Sequence, residues 1–134
     1  MLDELYQVLR LANASVKANK TKDARDLYHR AWDMIPEPKY AWDISQITLM
    51  RIARGLRDAG YFEEALVYAN AIDECKPNPG DADPAILLGS IYYASGDLAR
   101  ARSCFYNAFQ IAGKRGFRGE NPDYLKLALQ RDTQ

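Results

Sequence analysis

Apolar positions recur at helical spacing along most of the chain, and no stretch shows the period-two alternation of a strand. Leu5, Val8, Leu9, Leu11, Ala12 and Val16 predict a first helix over about residues 2–18. Asn19-Lys20-Thr21-Lys22 reads as a turn, with Thr21 as the N-cap of a second helix that runs through Met34. Pro36 and Pro38 block its continuation. Trp42, Ile44, Ile47, Leu49, Ile52, Ala53 and Leu56 predict a third, longer helix over about residues 40–59, ended by the conformational freedom of Gly60. A fourth runs from Phe62 to about Cys75, short of Pro77, Pro79 and Gly80. Asp83-Pro84 places an N-cap and a proline at the first position of a fifth helix, which ends at Ser95. Gly96-Asp97 turns the chain into a sixth, Leu98 to about Ala112. Gly113, Gly116 and Gly119 break regular structure. Asn121-Pro122 then opens a short last helix carrying Tyr124, Leu125, Leu127, Ala128 and Leu129.

These helices fall into three copies of one pattern. Leu88-Gly89, Tyr92, Gly96, Ala101, Phe105 and Ala108 match Ile52-Ala53, Leu56, Gly60, Ala65, Ala69 and Ile72, and again Leu11-Ala12, Ser15, Asn19, Ala24, Tyr28 and Ala31. The offsets resemble the tetratricopeptide repeat, a helical hairpin of about 34 residues. The small residues Ala12, Ala53 and Gly89 sit where the two helices of a hairpin approach most closely, opposite Ala24, Ala65 and Ala101. Tyr28, Tyr92 and Phe105 fill the space between successive hairpins. The expected fold is all-α: three tetratricopeptide-like hairpins (about 5–38, 40–79 and 82–115) in a right-handed superhelical stack, closed by a capping helix at about 121–131. Residues 1–134 then form a single domain. The repeat spacing is uneven, with insertions at Lys39–Ser45 and near Gly80-Asp81. The first is expected to extend the third helix and to put Tyr40 and Trp42 at an exposed rim.

Composition narrows the function classes. The 134 residues carry 18 Lys plus Arg against 18 Asp plus Glu, so the basic excess of a general nucleic-acid binder is missing. No apolar run reaches the ~18 residues of a membrane span, and Met1-Leu2-Asp3-Glu4-Leu5 lacks the features of a signal peptide. A cytoplasmic protein that binds neither nucleic acid nor membrane is expected. Cys75 and Cys104 read as buried free thiols rather than a disulfide framework.

Candidate chemistry is sparse. His29, the only histidine, has no Cys or carboxylate spacing that completes a metal site and reads as a surface residue. The glycines at 113, 116 and 119 lack the strand that precedes a phosphate-binding loop. Glu63-Glu64 and Asp73-Glu74 lie on helix surfaces with nothing evident to shift their pKa. No nucleophile–base set is present, so no catalytic residue, metal or cofactor is expected.

Recognition is the remaining class, and in stacked hairpins the first helix of each repeat lines the inner curve. Candidate partner-binding residues there are Tyr6, Leu9 and Asn13, then Met50, Arg51, Arg54 and Arg57, then Ile86, Ser90 and Tyr93, with Tyr40 and Trp42 at the rim. Arg51, Arg54 and Arg57 are three apart along one helix and suit bidentate pairing with carboxylates. They equally suit a solvated face balanced by Asp58 and Glu63-Glu64. The Lys/Asn/Asn/Lys/Arg clamp of repeats that grip a free C-terminal carboxylate is absent, since Leu9, Asp83 and Leu87 stand where Lys or Arg is required. Lys114, Arg115 and Arg118 follow the sixth helix, where cations favour a helix C-terminus in any case.

Two further segments carry a narrower resemblance: Ile35-Pro36-Glu37-Pro38-Lys39 followed by Trp42, and Phe117-Arg118-Gly119-Glu120-Asn121-Pro122-Asp123-Tyr124-Leu125-Lys126. Small tetratricopeptide proteins encoded beside bacterial polymorphic toxins carry similar phrases, although Asn121 replaces the usual acid. The resemblance covers about residues 32–130 and implies an immunity protein that neutralises a cognate toxin or effector domain by direct binding. Trp42 also has a structural reading, as a cover for the junction between the first two hairpins. The alternative function is a tetratricopeptide adaptor or secretion chaperone that holds an extended peptide in its groove.

Overall fold

The computed structural model describes residues 2–130, and all regular structure among them is helical. Seven α-helices follow in order: α1 (Leu2–Lys17), α2 (Thr21–Asp33), α3 (Asp43–Asp58), α4 (Phe62–Ala71), α5 (Asp83–Ser95), α6 (Leu98–Ala112) and α7 (Pro122–Ala128). A 3-10 turn, Ile72–Cys75, continues α4, and another, Gly113–Phe117, follows α6. The helices pack chiefly in sequential pairs, α1 with α2, α3 with α4 and α5 with α6. The chain divides into two compact units, Met1–Lys76 and Pro77–Gln134.

The turn inside each pair is the same object built three times. Asn19, Gly60 and Gly96 occupy equivalent repeat positions, and all three have left-handed backbone, at φ 60°, 90° and 90°. The following residue reaches back five positions in each case: Lys20 N–H donates to Ser15 C=O (2.8 Å), Tyr61 to Leu56 (2.9 Å) and Asp97 to Tyr92 (2.9 Å). A shorter bond closes inside it, from Asn19 to Val16, Gly60 to Arg57 and Gly96 to Tyr93. This double bond satisfies carbonyls that a helix end otherwise leaves open. Asparagine serves at the first turn because its short polar side chain tolerates that backbone.

The residue that reaches back also starts the next helix. Lys20, Tyr61 and Asp97 accept the first helical hydrogen bond, and the donors are Ala24, Ala65 and Ala101, the small position of each copy. All three alanines are fully buried. Thr21 is the first residue of α2 rather than its cap, and no side chain caps that end. Only Asp97 adds a side-chain bond, from Arg100 N–H at 3.1 Å.

In the first unit, Leu5, Leu9, Ala12, Ala24, Tyr28, Leu49, Ile52, Ala53 and Leu56 are buried. Leu11, expected on the apolar face of α1, points outward at 58% exposure. Tyr28 lies on Gly55, where an added Cβ would overlap the phenol ring. The connection from α2 to α3 departs from the expected long helix, because α3 begins at Asp43 and Tyr40 and Trp42 precede it. A folded connector occupies the insertion instead. The Lys39 ammonium donates to the carbonyls of Trp32 and Ile35, each at 2.9 Å, capping the end of α2, and lies 5.2 Å from the Trp32 ring centre. Trp42 Nε1–H donates to Pro36 C=O at 2.9 Å, and the Ser45 hydroxyl donates to Lys39 C=O. The Glu37–Pro38 peptide bond is cis.

The second unit is built on Phe105. Its ring stacks on Tyr124 of α7 at 4.5 Å between centroids and meets Phe117 edge-on at 6.2 Å. Ala82, Ile86, Ala101, Ala108 and Ala128 complete the core. At Gly89 a Cβ would stand 2.6 Å from Phe105, which explains the missing side chain where α5 crosses α6. α7 covers this core as expected, over Pro122–Ala128. Its expected last residue, Arg131, lies outside the described residues. Asn121 caps α7 by accepting from Asp123 N–H at 3.0 Å. At α5 Asp83 is the first helical residue rather than the cap; the N-cap is Ala82, and Asp81 Oδ1, one residue before it, accepts from Asp83 N–H at 3.0 Å. Cys75 and Cys104 are free thiols, half-buried rather than fully buried, and burial pushes both pKa values up. Protonated thiols of that kind are poor nucleophiles.

Ala101→Leu tests the crossing of α5 and α6. Adding three carbons at a fully buried position is expected to cost ~1–3 kcal/mol through overpacking. A denaturant midpoint unchanged by the substitution would show that the crossing has room to spare.

Candidate functional site

Two matching stripes in the first unit define a cleft. Tyr6, Arg10, Asn13 and Lys17 lie on α1 at steps of four, three and four, which places them on one face of a helix. Ile47, Arg51, Arg54 and Asp58 lie on α3 at the same steps. The cleft near the C-terminal ends of the two stripes has a volume of about 250 Å³ and is lined by Asn13, Lys17, Tyr28, Arg51, Arg54 and Asp58. Arg51 also lines the adjoining cleft of about 400 Å³, where Tyr6, Arg10 and Ile47 are found.

The floor is set by Tyr28. With no side chain at Gly55, the phenol crosses from α2 and its hydroxyl donates to Asn13 Oδ1. Burial, then the nearby Asp58 carboxylate, push the Tyr28 pKa up to about 12, with Arg51 opposing. The phenol therefore stays a neutral donor, and Asn13 is held by it. The walls carry four cations, Arg10, Lys17, Arg51 and Arg54, against the single acid Asp58. The Arg51 guanidinium lies 5.9 Å from the Tyr6 ring centre, and Arg57 Nε donates to Asp58 Oδ1 at 2.9 Å. A basic cleft with arginine walls and a fixed amide is suited to carboxylates, which guanidinium groups pair with two hydrogen bonds at a time.

Of the expected contact residues, Tyr6, Asn13, Arg51 and Arg54 come together here. Leu9 and Met50 do not: both are buried, Leu9 at 1% exposure, one position away from the stripes that reach solvent. Arg57 turns to Asp58 and lines neither cleft. Tyr40 and Trp42 belong to the connector, Tyr40 against the Trp32 ring at 5.6 Å and Trp42 hydrogen-bonded to Pro36, and both keep exposed surface. In the second unit Ile86 is a core residue, and Ser90 is buried with its hydroxyl donating to Leu87 C=O at 2.6 Å. Neither presents a side chain to a partner. Tyr93 is half-buried, its ring 5.3 Å from Tyr124 and its hydroxyl 3.5 Å from Asp123. Arg10 and Tyr28 were missed as site residues. The stripe spacing 6, 10, 13, 17 was the available signal for Arg10; nothing local marks Tyr28, whose place depends on Gly55.

A second cluster joins α2 to α4 on another surface. Arg25 meets Glu64 through both carboxylate oxygens, Nε at 2.8 Å from each and Nη2 at 2.7 Å from Oε1. His29 Nε2 is 3.5 Å from Glu64 Oε1, and its Nδ1 is 2.6 Å from the Tyr68 hydroxyl. Burial, then Asp33 and Glu64, push the Tyr68 pKa up to about 12. The phenol therefore stays neutral, and the His29 ring bridges it to the Glu64 carboxylate. The hydrogen bonds from Arg25 hold the Glu64 carboxyl below its ordinary value of 4.5, although the sequence suggested no such perturbation. Among the described residues no group of three or more His, Cys, Asp or Glu side chains is placed to hold a metal ion, and no helix is long and apolar enough to cross a membrane. Comparison of the sequence with protein-family models and with curated proteins finds no match.

The depressed Glu64 pKa has a definite pH signature. Its contribution to stability is present above the ordinary value of 4.5 and lost as pH falls through the lower folded value. Glu64→Gln is therefore expected to melt below the wild type at pH 7, with the gap closing in acid as the wild-type carboxyl protonates. A gap that stayed constant down to pH 3 would mean that Glu64 acts by packing rather than by charge.

Proposed function

We propose that this chain is a bacterial immunity protein, which binds a cognate polymorphic toxin or effector domain and neutralises it by direct contact through the α1–α3 cleft. The observation that carries the reading is the charge of that cleft: four cations against one acid, on rigid helices, in a chain whose net charge is zero. Concentrating positive charge in one recess favours an acidic partner surface and speeds its approach. Arg54, exposed at the wall, and Tyr6, under Arg51, are residues of the kind that dominate interface energies. The resemblance of the 35–42 and 117–126 segments to toxin-associated proteins supports the reading from the sequence. The helix pairs are, in this proposal, tetratricopeptide-like hairpins in a right-handed superhelical stack; their matching turns support the hairpin part of that reading. The open length of the cleft also suits the second reading, an adaptor or secretion chaperone that holds an extended acidic peptide.

The immunity reading expects a large neighbouring gene with a C-terminal toxin domain, and co-expression with that domain separates the two. Immunity predicts survival only when this chain is present; equal killing with and without it would end the immunity reading. In purified form, Arg51→Glu with Arg54→Glu is expected to weaken capture of that domain at least about tenfold, with unchanged helicity by circular dichroism. Unaltered affinity would move the contact off this cleft.

A further inference from the structure

A second recess, in the other unit, has a different composition and no part in the proposal above. It has a volume of about 640 Å³ and lies between the 3-10 turn after α6 and the outer side of α7. Phe117, Pro122, Leu125 and Leu129 supply its apolar lining. The arrangement follows from how α7 docks. Tyr124 and Ala128 face Phe105 and the core, Leu125 packs partly against the same core, and Leu129 is left on the flank. Leu129 keeps 45% of its surface exposed. The opposite wall is fixed by Gly116, where a Cβ would come within 3.0 Å of the Ala112 Cβ and 3.4 Å of the Ala82 Cβ, so the turn is pressed onto the unit and Phe117 is anchored against Phe105.

Lys114, Arg115, Arg118 and Lys126 stand around this apolar floor, with Glu120 as the one acid. All four cations are exposed, and among the described residues none forms an ion pair. The sequence suggested that the first three serve the helix C-terminus. Lys126 belongs to a different helix, yet completes the same ring, which a C-terminal role for α6 does not require. An apolar floor within exposed cations matches a ligand with the reverse arrangement. Nucleic acid fits poorly: the lining is mostly aliphatic, and Phe117, 6% exposed, presents no open face for base stacking. Cations set on two separate elements are better met by carboxylates spaced along a peptide than by one compact anion.

We infer that this recess binds an acidic peptide segment of a protein partner, with an apolar side chain seated against Leu125 and Leu129 and flanking carboxylates paired with Arg115, Arg118 and Lys126. The site is separate from the α1–α3 cleft, so its test does not depend on whether a toxin is neutralised.

The full-length, 15N-labelled chain is titrated to millimolar concentration with a synthetic peptide in which Leu and Phe are flanked by Asp and Glu. The control is the same peptide with Lys in place of every acid. Shifts are expected at the amides of Phe117, Arg118, Leu125 and Leu129, with the acidic peptide binding at least about tenfold more tightly than its control. Arg115→Glu with Arg118→Glu is expected to reverse that preference. Absent shifts, shifts centred on other residues, or equal binding of the two peptides would each overturn the inference. If the double variant does not fold, the two-peptide comparison on the wild type decides the matter by itself.

Discussion

Tyr28 reaches α3 because residue 55 has no side chain. Its ring needs the space that any Cβ at Gly55 would fill, and its buried hydroxyl needs the acceptor that Asn13 provides. Three helices are tied by this one side chain: α2 supplies it, α3 receives it and α1 satisfies its polar end. A buried phenol without an acceptor would carry a penalty of about 1–3 kcal/mol, so the Asn13 amide fixes where α1 lies as well as where the ring lies. The cleft between α1 and α3 is a consequence. Its floor is the same phenol, and its arginines stand on helices that Tyr28 holds in register.

The connector after α2 illustrates a related economy. A helix that ends before two prolines leaves carbonyls open, and here one lysine closes two of them while resting on the tryptophan of the same turn. Trp42 returns its indole N–H to Pro36, so the segment from Pro36 to Trp42 closes on itself. The Pro-x-Pro-Lys-x-x-Trp phrase thus has a structural duty independent of any partner. Exposed faces of Tyr40 and Trp42 remain available, but their positions are explained by capping and packing.

Much of the helical order was legible from the residues. The three turns were legible at Asn19, Gly60 and Gly96, and the alanines five positions later were legible as the small positions of each second helix; that Asn19 shares the left-handed backbone of the two glycines came from the structure. The start of α3 was not legible, because an apolar pattern from Trp42 onward reads equally as helix or as a connector whose tryptophan turns back. Hydrogen bonds to Pro36 and Lys39 decided between them. Among site residues, a one-position error carried a large consequence: Leu9 and Met50 neighbour Arg10 and Arg51 in sequence, yet a step of one on a helix turns a side chain by about 100°, from cleft to core. On α5 the burial is broader, since Ile86 and Ser90 lie among Leu87, Gly89 and Ile91, all buried.

The sequence alone determined what depends on near neighbours along the chain: helix periods, turns at Asn19, Gly60 and Gly96, and the Asn121 cap. Only tertiary structure decided what depends on groups far apart in the chain. The Arg25–Glu64 pair spans 39 positions, the passage of Tyr28 over Gly55 spans 27, and the cation ring around Phe117 draws Lys126 from a separate helix. Local propensity acts over a turn or two of helix and carries no information about which faces will meet. Those meetings are set by where small residues allow close approach and where buried polar atoms find partners, and both are properties of the packed molecule.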